Sequence, residues 1–163
     1  MSLYNKREIE EFKIILSEAI YLLENKDKMQ FSNNFPPEVA AVLGGVAGGA
    51  LGTTGIFFAF AGMSGSEIMA ALASFGFAGA VGGIASVAAL VVAPIIILGS
   101  GAYLATNQSK LKREIIKMVR KSFELENFLE IDSRTNVSNL LEGMKIYRTR
   151  IFQNHPDVKK HFR

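Results

Sequence analysis

Charged residues are almost missing from the middle of this sequence. Between Val39 and Thr106 the only charged side chain is that of Glu67, so 68 residues carry one formal charge. Soluble domains average about 25% charged residues, whereas a stretch without charge suits the interior of a lipid bilayer. The missing charge makes action at a membrane the first hypothesis for this chain.

Cysteine is absent and histidine is scarce. Without cysteine, disulfides, thiolate metal sites and cysteine nucleophiles are excluded. The two histidines, His155 and His161, lie near the end of the sequence, which argues against a histidine-centred active site in the body of the fold. Phosphate-binding loops, GxSxG, HExxH and paired carboxylates are also missing. We therefore expect no enzymatic activity, no catalytic residues, no cofactor and no metal site.

The residues that are present divide the chain into three parts. Residues 1–35 predict an N-terminal amphipathic helix, residues 36–106 a hydrophobic membrane hairpin, and residues 107–163 a basic C-terminal helical region. The net charge is −2 over residues 1–38 and +6 over residues 107–163. We expect an all-α membrane protein with two apolar helices, or three if a short one is added, and amphipathic cytosolic helices from both termini.

The flanking regions have helical periodicity. The N-terminal apolar stripe consists of Ile9, Phe12, Leu16, Ala19 and Leu23, with charged residues from Lys6 to Lys13 on the opposite face. A charged start of this kind lacks the apolar core of a secretory signal. The C-terminal stripes consist of Leu111, Ile115, Val119 and Phe123, and of Val137, Leu140, Met144, Tyr147 and Ile151. Residues 128–135 are predicted to connect these two helices, and Pro156 to end the second.

The apolar region contains two runs. Val39–Met63 is predicted to be one helix about 37 Å long, which is enough to cross a hydrocarbon core of about 30 Å. Ser64 and Glu67 have the spacing of a capping box and predict a tight turn into a second helix. The second run, Ile68–Thr106, is too long for one span. Breaks are expected at Gly82-Gly83, at Pro94 or at residues 99–101.

Glycines in these runs are spaced for helix packing. Gly44, Gly48 and Gly52 lie four residues apart, and Gly79 and Gly83 repeat the spacing. Small residues at this spacing allow close backbone approach between helices in lipid, as in a glycine zipper. The packing could be within one chain or between chains, and the alternative is that the glycines only reflect the composition of membrane helices.

Glu67 and Pro94 each have two interpretations. Glu67 is either a helix cap or a charge at a pore mouth that selects cations. Pro94 is either a tolerated bend in a membrane helix or a kink used in gating.

A basic stretch follows the last apolar residue. It contains Lys110, Lys112, Arg113, Lys117, Arg120 and Lys121. Such a stretch is typical of a cytoplasmic anchor that binds anionic lipid headgroups. The alternative is a site for a nucleic-acid or nucleotide ligand, although no DNA- or RNA-binding motif accompanies it.

The layout resembles known membrane-active proteins. The passage from Ala88 through Pro94 to Gly101, leading into Lys110 and Lys112, is similar to the hydrophobic hairpin of colicin-type and apolipoprotein-L-type pore formers. The architecture also resembles small membrane effectors of bacterial anti-phage defence, including the channel subunit of the Hailong system. That resemblance implies a channel held shut by the nucleic-acid product of a partner nucleotidyltransferase.

Together these features predict membrane permeabilisation or ion conduction by a homo-oligomer, as in a toxin or an antiviral defence effector. The expected location is the inner or plasma membrane, with both termini cytosolic. Expected partners are membrane lipid, further copies of the chain and a regulatory protein. Two alternatives stay open: a non-conducting membrane-anchored adaptor, and a soluble bundle that inserts its hairpin when triggered.

Overall fold

The computed structural model describes residues 3–44, 55–75 and 107–163, and all regular secondary structure within them is helical. The helices are α1 Lys6–Glu24, α2 Pro37–Gly44, α3 Gly55–Ala61, α4 Gly65–Ser74, α5 Gln108–Leu129, α6 Thr135–Asn154 and α7 Pro156–Lys159, followed by a 3₁₀ turn at Lys160–Phe162. The predicted all-α fold class is confirmed for these residues.

Helix α1 lies at the centre of the fold. It packs against α4, α5 and α6, and every residue from 11 to 20 is buried. The predicted apolar stripe lies in the core, including Ile9, Phe12, Leu16 and Ala19. The predicted solvent-facing side is wrong in part, because neighbouring helices also cover Glu11 and Lys13.

Other polar groups of α1 are buried with partners. The carboxylate of Glu18 accepts a hydrogen bond from the backbone N–H of Ser32 at 2.7 Å and another from the Ser32 hydroxyl. Burial raises the pKa of Glu18, although both bonds from Ser32 favour the charged form. Burial also lowers the pKa of Lys13, against the attraction of Glu114 on α5. The bonds from Ser32 to Glu18 therefore fasten the segment after α1 onto the helix.

An arginine from a distant part of the chain caps the C-terminal end of α1. The guanidinium of Arg134 donates hydrogen bonds of 2.7–2.9 Å to three carbonyl oxygens: those of Leu22, Asn25 and Lys28. Asp132 accepts a further bond of 2.7 Å from the same guanidinium. A cation is stabilising there because the last carbonyls of a helix have no partner within the helix and carry partial negative charge.

Helices α5 and α6 are the amphipathic pair predicted for the C-terminal region. They pack on α1 and on each other, and the segment between Leu129 and Thr135 connects them as expected. Their core residues include Leu111, Ile115, Val119, Val137, Leu140, Met144, Tyr147 and Ile151. Phe123 departs from the prediction and is exposed. It lies at the surface rather than in the core and contacts the aromatic rings of Phe152 and Phe162 there.

The first apolar run does not form one helix. Helix α2 ends at Gly44 and α3 begins at Gly55. The two helices lie side by side, since a Cβ atom placed on Gly55 would be 3.2 Å from Cγ1 of Val42. Along one straight helix these two residues would be about 20 Å apart. The prediction of a single helix over Val39–Met63 is therefore wrong.

Within the described ranges, no single helix is long and apolar enough to cross a membrane. Helices α3 and α4 together have the required length and composition but are bent by 103° at the break between them. The two or three membrane-spanning helices stay a prediction. The expected breaks at Gly82-Gly83, Pro94 and residues 99–101 lie outside the described residues.

Candidate functional site

The described ends of the first apolar run are held on helices α1 and α6. Leu43 of α2 and Ile56 and Phe60 of α3 are at most 1% exposed. Gly143 of α6 permits this approach, since a Cβ atom there would lie 2.8 Å from Cδ2 of Leu43 and 3.3 Å from Cδ1 of Ile56. Protein interiors are close-packed, so a side chain at Gly143 would displace both neighbours. We call these four residues, with Tyr147, the apolar seat.

Tyr147, about one turn after Gly143, is the aromatic centre of the seat. Its ring stacks on Phe12 of α1 with centroids 5.3 Å apart. The same ring lies 5.4 Å from Phe57 and meets Phe60 edge-on at 6.1 Å. Stacked and edge-on ring pairs each contribute about 0.5–1.5 kcal/mol beyond area burial. The seat therefore joins α1, α3 and α6 through one buried side chain.

Three polar side chains, Arg7, Glu11 and Tyr147, form what we call the latch of the seat. The buried Glu11 carboxylate accepts hydrogen bonds from the Tyr147 hydroxyl at 2.6 Å and from Nε of Arg7 at 2.8 Å. Nη2 of Arg7 then donates to the carbonyl oxygens of Phe60 and Met63. The Phe60 carbonyl lies in the last turn of α3 and also accepts a bond from the backbone N–H of Met63 at 3.0 Å, and the Met63 carbonyl lies just beyond the helix, so the arginine adds to the capping of this end.

The electrostatics of the latch favour the hydrogen bond between Tyr147 and Glu11. Burial, together with the neighbouring carboxylate of Glu11, raises the pKa of Tyr147 well above its usual value. Tyr147 therefore remains a neutral donor at physiological pH. The Arg7 side chain is 37% exposed, whereas the Glu11 side chain is 12% exposed and Tyr147 is 2% exposed. Solvent thus reaches Arg7 more easily than the other two partners of the latch.

A second polar cluster lies at the same end of α1. His155 Nε2 is 2.7 Å from a carboxylate oxygen of Glu8, and the ring of Tyr4 stacks on His155 at 4.4 Å. The Tyr4 hydroxyl donates to Asp157, which also pairs with Lys112 of α5 at 2.7 Å. Hydrogen bonds from Lys112 and Tyr4 lower the pKa of Asp157 to about 2. This cluster fastens α1 to α5 and α7.

Glu67 caps helix α4. Its backbone N–H donates to the Ser64 hydroxyl at 3.2 Å, and its carboxylate accepts from the backbone N–H of Ser64. This is the capping box that the spacing predicts. Ile68 and Leu72 bury the opposite side of α4 in the core. A role of Glu67 at a pore mouth stays a prediction.

The predicted packing glycines lie mostly outside the described residues. Gly44 ends α2, and a Cβ atom placed there would meet nothing within 4 Å. The described part of the chain therefore packs nothing against Gly44. The remaining predicted residues outside the described ranges are Gly48, Gly52, Gly79, Gly83 and Pro94.

The basic stretch at the start of α5 is partly neutralised by the fold. Three of its six cations form ion pairs: Lys112 with Asp157, Lys117 with Glu114, and Lys121 with Glu124. Arg113 and Arg120 are exposed. At least half of the charge predicted to face an anionic ligand is consequently engaged with carboxylates.

Sequence reasoning missed the latch. Arg7 and Glu11 belonged to the predicted solvent face of α1, and Tyr147 to an apolar stripe without a further role. Gly143 did carry a signal, because a glycine inside a helical pattern costs about 1 kcal/mol relative to alanine and therefore indicates a packing requirement.

The described residues contain no group of three or more histidine, aspartate or glutamate side chains that could hold a metal ion. Comparisons with protein-family models, curated proteins and solved structures find no match for this chain. Its function is therefore argued from its own residues.

Proposed function

We propose that this protein permeabilises a membrane, or conducts ions across it, as a homo-oligomer controlled by its soluble helices. The observation that carries the proposal is the stretch from Val39 to Thr106, in which Glu67 is the only charge. The proposed location is the inner or plasma membrane, with cytosolic termini. The fold described above is then the resting form.

The burial of the apolar run in the seat supports a mechanism in which release of this run controls membrane action. Opening it would expose Leu43, Ile56 and Phe60, and exposing each such side chain to water costs about 1.5–3 kcal/mol. A bilayer removes most of that cost because it accepts the same apolar surface. The apolar run therefore leaves the seat when a membrane is available to receive it and a trigger has opened the latch.

Several copies are required for conduction. A few helices in one chain cannot enclose a pore, and most homo-oligomers have closed symmetry, of which a ring around a central axis is the form that encloses a pore. The spacing of Gly44, Gly48 and Gly52 supports close helix contacts in the inserted form. The released soluble helices would remain outside the bilayer, available to a regulatory partner.

A reversible cross-link tests release directly. The chain has no cysteine, so the double variant Leu43→Cys/Gly143→Cys places one engineered pair between α2 and α6, where the Leu43 side chain lies against Gly143. Oxidation should lock α2 on the seat, and reduction should free it. We expect leakage of a trapped dye from anionic vesicles to fall about tenfold or more on oxidation, since a disulfide contributes about 2–4 kcal/mol.

The controls use the same protein. Gel mobility without reductant confirms that the cross-link has formed, and the wild-type chain should respond to neither oxidant nor reductant. Equal leakage in both states would contradict control by the seat. A reduced variant that floats with vesicles but releases no dye would contradict conduction and would favour the non-conducting adaptor.

A further inference from the structure

A groove near the end of the chain carries positive charge that no carboxylate neutralises. It has a volume of about 520 Å³ and is lined by Thr149, Phe152 and Gln153 of α6 together with Lys159, Lys160 and Arg163. Among the described residues these three cations form no ion pair, and no aspartate or glutamate lines the groove. We call this surface the cationic groove.

The floor of the cationic groove has one aromatic ring, that of Phe152, backed by two more. Phe152 packs with Phe123 of α5 at 6.5 Å and with Phe162 at 6.0 Å between ring centroids, and Phe123 and Phe162 lie 5.7 Å apart. The guanidinium of Arg148 lies 3.8 Å from the centroid of Phe123 and closes the cluster from one side. Cations around an aromatic floor are typical of surfaces that lie at the headgroup level of a membrane.

The cationic groove adjoins a second groove that reaches helix α3. Thr149 and Gln153 also line a neighbouring groove formed with Phe57 and Phe58 of α3. Phe58 is 73% exposed. A flat bilayer resting on the three cations would therefore also meet α3, whereas a compact soluble ligand would occupy only one groove.

We infer that the cationic groove docks this protein on an anionic phospholipid surface, with headgroup phosphates on Lys159, Lys160 and Arg163 and the aromatic floor against the upper acyl region. The inference rests on the proposed function, because it assumes action at a membrane. It differs from the sequence-based prediction, which assigned anionic lipid to the stretch from Lys110 to Lys121.

Vesicle binding tests the inference. The groove variant Lys159→Ala/Lys160→Ala/Arg163→Ala is compared with a control, Lys6→Ala/Lys26→Ala/Lys28→Ala, which removes the same charge elsewhere. Sedimentation uses vesicles of phosphatidylcholine alone and of phosphatidylcholine with phosphatidylglycerol. We expect the groove variant to bind the anionic vesicles about 100-fold more weakly than wild type, since each cation near a membrane surface contributes about fivefold.

The control variant should bind within a few-fold of wild type, and both variants should keep the wild-type unfolding midpoint. Equal losses in the two variants, or equal wild-type binding to neutral and anionic vesicles, would overturn the inference. Tighter binding of a single-stranded oligonucleotide than of anionic vesicles, lost in the groove variant, would assign the groove to nucleic acid instead. Strong vesicle binding without dye leakage would contradict the proposed function and leave the groove assignment standing.

Discussion

Two arginines cap helix C-termini in this molecule, and their surroundings differ. Arg134, with Asp132, forms what we call the clamp: its side chain is 8% exposed, and it binds three carbonyls at the end of α1. Arg7 in the latch is 37% exposed and binds the carbonyls of Phe60 and Met63 at the end of α3. The two arginines thus make the same kind of contact, but the side chain of Arg134 is much less exposed to solvent than that of Arg7.

The difference separates a permanent joint from one that can open. When one partner of a buried charged network is removed, the remaining polar groups have neither a hydrogen bond nor water. A partly exposed arginine, by contrast, is hydrated by solvent as soon as it separates from its partners. The clamp joins the helices that form the core of the bundle. The latch joins that core to the apolar run, so the weaker joint lies where the proposed function requires movement.

The largest effect is expected at the clamp. Arg134→Ala should lower the free energy of unfolding by about 3–5 kcal/mol, because it leaves Asp132 and three carbonyls without their partner. Urea denaturation measures the change. Arg134→Lys keeps the charge but loses the fork of donors, so it should fall between the alanine variant and wild type. A smaller loss for Arg134→Ala than for Arg7→Ala would break the comparison.

A change at the seat should have an intermediate effect. Gly143→Ala places a methyl group against Leu43 and Ile56 and should cost about 1–2 kcal/mol through overpacking. Hydrogen exchange should show lost protection in α2 and α3, with α1 and α5 unchanged. Gly44→Ala is the matched control, because a Cβ atom there meets nothing within 4 Å. Equal effects of Gly143→Ala and Gly44→Ala would contradict the close packing of Leu43 and Ile56 against Gly143.

Opening the latch should cost less. Arg7→Ala removes two bonds to carbonyls and one to Glu11 and should lower the free energy of unfolding by about 1 kcal/mol, since the exposed pair is screened by solvent. We expect faster hydrogen exchange in α3 and faster dye release from vesicles. Arg113→Ala, an exposed arginine of α5, should change neither measurement. Unfolding of the whole bundle by Arg7→Ala would show that the latch and the clamp are equivalent.

The smallest change in stability is expected on acidification. The pKa of Asp157 is lowered in the fold from 3.8 to about 2, so its contribution to stability is fully present above pH 3.8 and is lost as the pH falls through about 2. Urea denaturation of wild type and Asp157→Asn between about pH 4 and pH 2 measures it. The difference between the two proteins should shrink across that window, and a constant difference would exclude Asp157 as the titrating group.

Local features were predictable because they depend on near neighbours. The capping box joins Ser64 and Glu67, which are three positions apart, and the stripes of α5 and α6 repeat with the period of one helix. The polar side of α1 was not predictable in the same way. Periodicity shows which face is apolar, but it does not show whether other helices will cover the opposite face, as they cover Glu11 and Glu18.

The amino-acid sequence by itself determined the helical character of the described ranges, the segregation of charge and the 68 nearly uncharged residues, since each depends on composition or short-range spacing. The tertiary structure decided that Arg7 reaches a carbonyl 53 residues away and Arg134 one 112 residues away. It also folded α2 back along α3 and placed both against Gly143. These contacts depend on where the helices pack in space, which no periodicity within a single helix contains.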